Sequence, residues 1–209
     1  MRPDPATLGA ILAGGLARRL GGGDKALRTV GGRTVLARLV ERVTPQVTRL
    51  ILNANDDLQR FAGAGLPVAA DSLPGHPGPL AGVLAALDWA AACEAATDWV
   101  LTVPGDAPFL PRNLVSRLQA ERRRTGATLA YAASAGRSHP VVAIWPVSMR
   151  HELREALTVG NVRKVGAFIQ RHPTVTVDWP AVPADPFFNV NEPQDLAKAD
   201  YLATLHADL

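Results

Sequence analysis

A chain of 209 residues, 47% of them hydrophobic, is long enough to bury one substantial α/β core without staples. Its single cysteine, Cys93, excludes an intrachain disulfide and a cysteine-built zinc site. A net charge of +3, without a basic stripe interleaved with aromatics, argues against nucleic acid as a partner. The amino terminus, MRPDPATLGA, holds no signal-peptide segment, and no apolar run reaches about 18 residues. The expectation is a cytoplasmic protein with no membrane contact.

Apolar runs then alternate with helical periodicity along the chain. Residues 8–13 read as a buried first strand, and 35–43 as a helix with apolar residues at 35, 36, 39, 40 and 43. A second strand is expected over 49–52, a short helix over 56–62 and a third strand over 66–70. Residues 80–92 read as a helix, 99–103 as a fourth, buried strand and 114–124 as a helix. Cys93 continues the 80–92 pattern, where a small apolar thiol suits packing. Arg122, Arg123 and Arg124 close the 114–124 helix as a solvated face that complements its dipole. Strands follow over 128–132 and 141–145, helices over 147–157 and 162–170, an extended piece over 174–177 and a closing helix over 193–205. Pro193 suits the first position of that last helix.

Strand–helix alternation in short steps predicts a mainly parallel sheet with helices on both faces, a Rossmann-like three-layer sandwich. Two strands follow one another closely around residues 134–138, which predicts an antiparallel strand in a mixed sheet. Proline-rich loops at 74–79 and 180–186 separate elements of one fold, so residues 1–209 are read as a single domain.

The first strand runs into Ile11-Leu12-Ala13-Gly14-Gly15-Leu16-Ala17-Arg18-Arg19-Leu20-Gly21-Gly22-Gly23-Asp24-Lys25. This is not a P-loop, because Asp24 separates Gly23 from Lys25 and Ala26 follows. The glycines nevertheless let backbone N–H groups approach anionic oxygens, while Arg18, Arg19 and Lys25 bring positive charge to a strand end. Phosphate binding is the favoured reading, against a turn with solvated cations.

Four further strand ends and turns carry candidate polar groups. Asn53 and Asn55 follow the second strand, where an amide can read a base edge or simply support a turn. Asp71 follows the third strand and can accept from guanine N–H donors or cap the next turn. Asp106, in Pro104-Gly105-Asp106-Ala107-Pro108, breaks the fourth strand abruptly, and a carboxylate there can hold Mg²⁺ or cap a helix. His139, in Gly136-Arg137-Ser138-His139-Pro140, is placed in the turn between the adjacent strands. It can hydrogen-bond a ligand or serve a structural contact. Alternation in Phe188-Asn189-Val190-Asn191-Glu192 puts Asn189 and Asn191 on one face and Val190 on the other. His76, between prolines, reads as a surface histidine, and Arg163 and Lys164 start a helix where they can meet an anion.

Taken together, L-A-G-G-x-A-R-R-L-G-G-x-D-K, N-A-N, D-S-x(5)-G-P-L-A-G, P-x-D-x-P, G-x-x-H-P and F-x-N-V-N resemble the molybdenum cofactor guanylyltransferases, the MobA-like branch of the nucleotidyltransferases. The resemblance runs from about residue 8 to 199. Departures are Leu16, Leu20, Gly105 in place of a common cysteine, and Glu192 in place of a threonine that caps better. It implies a sandwich of the nucleotide-diphospho-sugar transferase type, with GTP in the N-terminal part and molybdopterin in the C-terminal part. It also implies Mg²⁺-dependent transfer of GMP from GTP to molybdopterin, with pyrophosphate released. Nucleotide contacts carried over are Leu12, Ala13, Gly14, Gly15, Lys25, Asn53, Asp71 and Asp106. Arg19, Lys25 and Asp106 carry the catalysis, and Asp106 the metal. His139, Asn189 and Asn191 are carried to the acceptor side. Molybdoenzymes or their chaperones are implied as recipients of the product. Relatives using CTP and sugar-phosphate nucleotidyltransferases share the opening loop and stand as alternatives; a non-catalytic nucleotide- or cofactor-binding carrier is the alternative of a different class.

Overall fold

The computed structural model describes residues 5–14, 24–55, 58–73, 75, 78–93 and 96–206. Strand β1 (Thr7–Leu12) occupies the middle of the first half. The chain goes on through a two-strand hairpin, β2 (Thr29–Val30) and β3 (Arg33–Thr34), into helix α1 (Val35–Val43). Strands β4 (Arg49–Asn53) and β5 (Val68–Ala69), helix α2 (Pro79–Cys93) and strand β6 (Trp99–Pro104) follow. The second half holds α3 (Leu114–Thr125), β7 (Leu129–Ser134), β8 (Arg137–Pro146), α4 (Arg150–Thr158), α5 (Val165–Ile169), β9 (Thr174–Trp179) and α6 (Pro193–Leu205).

Seven strands form one sheet in the order β5-β4-β1-β6-β8-β7-β9. Only β8 runs against its neighbours; the β1–β4, β1–β6, β4–β5 and β7–β9 pairs are parallel. The mixed sheet expected from the close spacing near residues 134–138 is therefore present, and β8 is its antiparallel strand.

Period-two alternation sorts the strand side chains into two cores. Ile11, Leu50, Leu52, Leu101 and Val103 face α1, α3 and α6, while Leu8, Ala10, Ile51 and Val100 face α2, α4 and α5. Burying a side chain of this size contributes about 1.5–3 kcal/mol, so the two-sided sheet is the main source of stability. Helix α1 starts cleanly because Thr34 Oγ1 accepts from Ala37 N at 3.1 Å. Helix α3 stops at Gly126, which takes the left-handed conformation (φ 68°).

Several expectations change in detail. The β2–β3 hairpin was not expected; it turns through Gly31 and Gly32 with φ of 56° and 73°, and Gly31 N donates to Asp200 Oδ1 of α6 at 2.7 Å. The 56–62 helix is a 3₁₀ segment, Leu58–Ala64, and residues 56 and 57 lie outside the described ones. The third strand shrinks to Val68–Ala69, and the 162–170 helix to Val165–Ile169, because Asn161 is left-handed (φ 49°) and Lys164 extended. Cys93 is exposed rather than packed. Arg122 is half-buried rather than solvated, with its guanidinium 3.9 Å from the Trp99 ring centroid. Burial, and then Arg123 beside it, lower the Arg122 pKa. Arg124 instead reaches Glu121 at 2.6 Å.

The β7–β8 hairpin turns through Ala135 and Gly136, both with positive φ, so β8 already begins at Arg137. His139 consequently sits in the strand, not in the turn. The register then jumps from Ala132↔His139 to Tyr131↔Ala143, a bulge that accommodates Pro140, which has no N–H to offer a ladder. It leaves the Val141 carbonyl to accept from Thr102 Oγ1 at 2.7 Å, while Trp145 Nε1 donates to the same hydroxyl at 2.8 Å. Among the described residues no helix is long and apolar enough to cross a membrane.

Candidate active site

From β1 the chain builds outward to β4 and β5, then crosses to β6 on the other side of β1. Such a reversal opens a crevice at the carboxyl ends of the strands. A cavity of about 590 Å³ lies there, walled by the ends of β1, β4 and β6 and by the start of α2. Backbone bonds hold its floor: Ala13 N donates to Asn53 O at 2.8 Å, and Gly105 N to Leu12 O at 2.9 Å. A side chain on Gly105 would begin 3.0 Å from Leu12 O and 3.1 Å from Ala13 Cα, which accounts for a glycine at this point.

One end of the cavity is ionic. Lys25 rises from a one-turn 3₁₀ helix, Lys25–Leu27, and its Nζ lies 3.1 Å from Asp106 Oδ2. The same ammonium donates to Asn191 Oδ1. Asp106 Oδ1 is buried and has no hydrogen-bond partner among the described residues. The backbone of Asp106 anchors the C-terminal segment, because Val190 N donates to its carbonyl at 2.9 Å. Val190 is fully buried in the core and Asn189 lines the cavity, so the alternation expected at residues 189–191 holds. Asp195 repairs the weak cap at Glu192: its Oδ2 accepts from Asn191 N at 3.0 Å and Glu192 N at 2.9 Å.

The other end is an amide-clamped carboxylate. Asn53 Nδ2 donates to Asp71 Oδ1 at 2.9 Å and to Ala69 O at 3.0 Å. Asn55 Nδ2 donates to Asp71 Oδ2 at 2.9 Å, and Asn55 Oδ1 accepts from Asp71 N at 2.9 Å. The two asparagines thus direct their donors at Asp71, and the carboxylate is the group they hold in place. A carboxylate offers about four lone-pair directions in all, so it can accept from several N–H donors at once. Asn53 is packed tightly, since a Cβ on Gly82 of α2 would fall 2.3 Å from its Oδ1.

Leu12, Ala13, Gly14, Lys25, Asn53, Asp71, Asp106 and Asn189 all line this one cavity, and Asn191 reaches it through Lys25. Gly15, Arg18, Arg19 and His76 lie outside the described residues. Arg60 also lines the cavity and was missed, because an arginine in a short helical segment carries no motif. Arg163 is exposed and donates to Asn161 Oδ1 at 2.9 Å; neither it nor Lys164 lines the cavity.

His139 is not part of the cavity wall. Its Nε2 lies 2.8 Å from Ser134 Oγ, and that hydroxyl donates to Asp185 Oδ1 at 2.7 Å. Asp185 Oδ1 also accepts from Phe187 N at 2.9 Å, and Phe187 packs on the imidazole with ring centroids 4.9 Å apart. The one hydroxyl proton of Ser134 goes to Asp185, so His139 Nε2 carries a hydrogen and Nδ1 an acceptor lone pair. Burial lowers the His139 pKa, Arg137 adds to this, and Asp185 opposes it.

Among the described residues no three His, Cys, Asp or Glu side chains gather to cage a metal. A lone carboxylate with an unpartnered buried oxygen suits Mg²⁺, which keeps several waters and takes phosphates as its other ligands.

A crevice at the switch point, ionic at one end and a hydrogen-bonding carboxylate at the other, belongs to the nucleotidyltransferase class, here on the nucleotide-diphospho-sugar transferase fold. The family model of the MobA-like NTP transferase domain matches residues 9–175, and the chain belongs to that family. A molybdenum cofactor guanylyltransferase of Rhodopseudomonas palustris (strain HaA2) is 55% identical over 208 residues, which is 100% of this chain and 97% of the relative. The crystal structure of molybdopterin-guanine dinucleotide biosynthesis protein A from Archaeoglobus fulgidus superposes with a TM-score of 0.75 at 22% identity, over 95% of this chain and 100% of that one. A 2-C-methyl-D-erythritol 4-phosphate cytidylyltransferase from Thermus thermophilus has a TM-score of 0.68 at 21% identity, over 97% and 100%. These two likenesses establish the fold, and since one of the pair is a cytidylyltransferase, the fold leaves the base open.

Proposed function

We propose that this chain transfers GMP from GTP to the terminal phosphate of molybdopterin, giving molybdopterin guanine dinucleotide and pyrophosphate. The observation that carries the reading is Asp106, which has one oxygen on Lys25 and the other buried without a partner in the cleft. A relative 55% identical along the whole chain and named a molybdenum cofactor guanylyltransferase supports the choice of substrates. Molybdoenzymes or their chaperones would receive the product.

In this reading the guanine sits at Asp71, whose carboxylate accepts from the N1–H and N2–H₂ donors that cytosine does not present together. Lys25 meets the β- and γ-phosphates, joined by Arg19 from the loop. Asp106 would hold Mg²⁺, which would supply positive charge to offset the repulsion of two anionic reactants. The nucleophile is a phosphate monoester with a second pKa near 6, already ionised at neutral pH, so no general base is needed. Its oxygen attacks the α-phosphorus in line, the bond to the bridging oxygen breaks, and pyrophosphate leaves. Asn189, which lines the cavity, and Asn191, which meets Lys25, are assigned to the acceptor in this reading, and so is His139.

The test is pyrophosphate release with molybdopterin, Mg²⁺ and each nucleoside triphosphate in turn. Release with GTP alone is the expected result. Equal turnover with CTP would overturn the guanine assignment.

A further inference from the structure

Asp24 is buried, yet it is charged and sits at the exit of the phosphate loop. Its partner is Arg60, whose Nε lies 2.7 Å from Asp24 Oδ2. The same guanidinium reaches the other end of the cleft, where Arg60 Nη2 donates to the Asn55 carbonyl at 2.9 Å. Its own position is fixed from behind by Phe61, buried in the core, with the guanidinium 4.9 Å from that ring.

The next residue along is Lys25, and the Asp24 carbonyl closes the 3₁₀ turn that carries it, accepting from Leu27 N at 3.2 Å. Lysine is a point charge on a flexible four-carbon stem, so its aim is set by its backbone anchor. Asp24 is that anchor, and a buried carboxylate paired in charge with a partly buried guanidinium resists separation more than an exposed ion pair does. The geometry points to Arg60 as a positioning residue for the transfer reaction: through Asp24 it fixes the turn from which Lys25 meets the triphosphate. Its second contact is to the Asn55 backbone carbonyl, whereas the Asn55 side chain that clamps Asp71 is held by Asp71 itself. The inference rests on the guanylyl-transfer reading given above.

The experiment compares full-length wild type with R60Q, R60K, D24N and the R60Q/D24N double variant. It measures kcat and KM for GTP, and the inhibition constant of guanosine, which has the base but no phosphates. A displaced charged group costs up to about 100-fold in rate, so R60Q should lower kcat on the order of 10–100-fold. Guanosine affinity should stay within about twofold, R60K should recover part of the loss, and the double variant should be no worse than R60Q. D24N keeps the side-chain shape and should show the same split, which keeps the test open if R60Q does not fold. Wild-type kcat and KM in R60Q overturn the inference. So do losses that multiply in the double variant, or an equal loss of guanosine affinity. Failure of the guanylyl reading would look different: wild type would turn over CTP and not GTP. The same variants would then be read with CTP and cytidine.

Discussion

Replacing Asp106 with asparagine separates the structural from the chemical part of this site. The carboxylate has one oxygen on Lys25 at 3.1 Å and one buried oxygen without a partner. Asparagine can keep its carbonyl towards Lys25 only by turning its NH₂ into the buried position. An unsatisfied buried donor there costs about 1–3 kcal/mol. For a domain of this length that corresponds to a fall of about 2–12 °C in Tm, well short of unfolding. Turnover should fall much further, because the charge lost faces the reacting phosphates. Removing one preorganised electrostatic group costs about 10²–10³ in kcat, or roughly 3–4 kcal/mol. Steady-state pyrophosphate release across a magnesium titration, beside a thermal melt, measures both quantities. A variant with a Tm close to wild type and undiminished kcat at every magnesium concentration would refute the assignment of Asp106. So would a rate loss no larger than the loss of folded protein.

Two further outcomes follow from the geometry. The folded-state pKa of His139 is lowered below its ordinary value by burial, so its neutral form contributes stability that is complete above about pH 6.5. That contribution is lost as pH falls from there through the lowered folded pKa. Urea unfolding of wild type and H139Q between pH 7.5 and 5 should therefore show the steeper decline in wild type, and parallel curves would remove His139 as the cause. Gly82→Ala should destabilise by about 1–3 kcal/mol, because the new Cβ would fall 2.3 Å from an Asn53 Oδ1 that cannot retreat. Helix propensity alone would predict a gain of about 1 kcal/mol, so the sign of the change in urea midpoint decides between the two.

The first half of the molecule was legible because its signals are local. Leu8, Ala10 and Ile11 form a short apolar run, and α1 shows its buried stripe in the spacing of Val35, Leu36, Leu39 and Val43. The cleft residues Gly14, Asn53, Asp71 and Asp106 each stand just beyond such a run, where a parallel strand delivers its side chains to a ligand. The β2–β3 hairpin escaped notice although Gly31-Gly32 is a turn signal, because two-residue strands are too short for any alternation. His139 was misplaced for a related reason: the two-residue turn through Ala135 and Gly136 is tighter than the sequence suggested. Arg60 was invisible, since its meaning comes from Asp24, 36 positions away in the chain. Asn53 was read as a nucleotide contact, and the fold adds that its amide and that of Asn55 both donate to Asp71.

These contacts also constrain how the nucleotide enters. Around the cleft the described residues place two cations, Lys25 and Arg60, against three carboxylates, Asp24, Asp71 and Asp106. Both cations are already engaged with a carboxylate, so this part of the cleft has no surplus positive charge to offer a triphosphate. The two pairs differ in what they can give up. Asp24 is buried against Arg60, and parting them would strand a charge away from water at a cost of several kcal/mol. The Lys25–Asp106 pair retains more access to water, with 21% and 17% of the side chains exposed, and Asn191 offers Lys25 a second acceptor. Lys25 can therefore exchange Asp106 for phosphate oxygens, provided another cation compensates the carboxylate it leaves. In the proposed reading, a divalent ion held by Asp106 would meet that requirement, and the buried, unpartnered Asp106 Oδ1 suits it. On the proposed mechanism Arg60 would hold the turn while Lys25 passed from Asp106 to phosphate oxygens, so the two neighbouring residues Asp24 and Lys25 would divide anchoring and charge transfer between them.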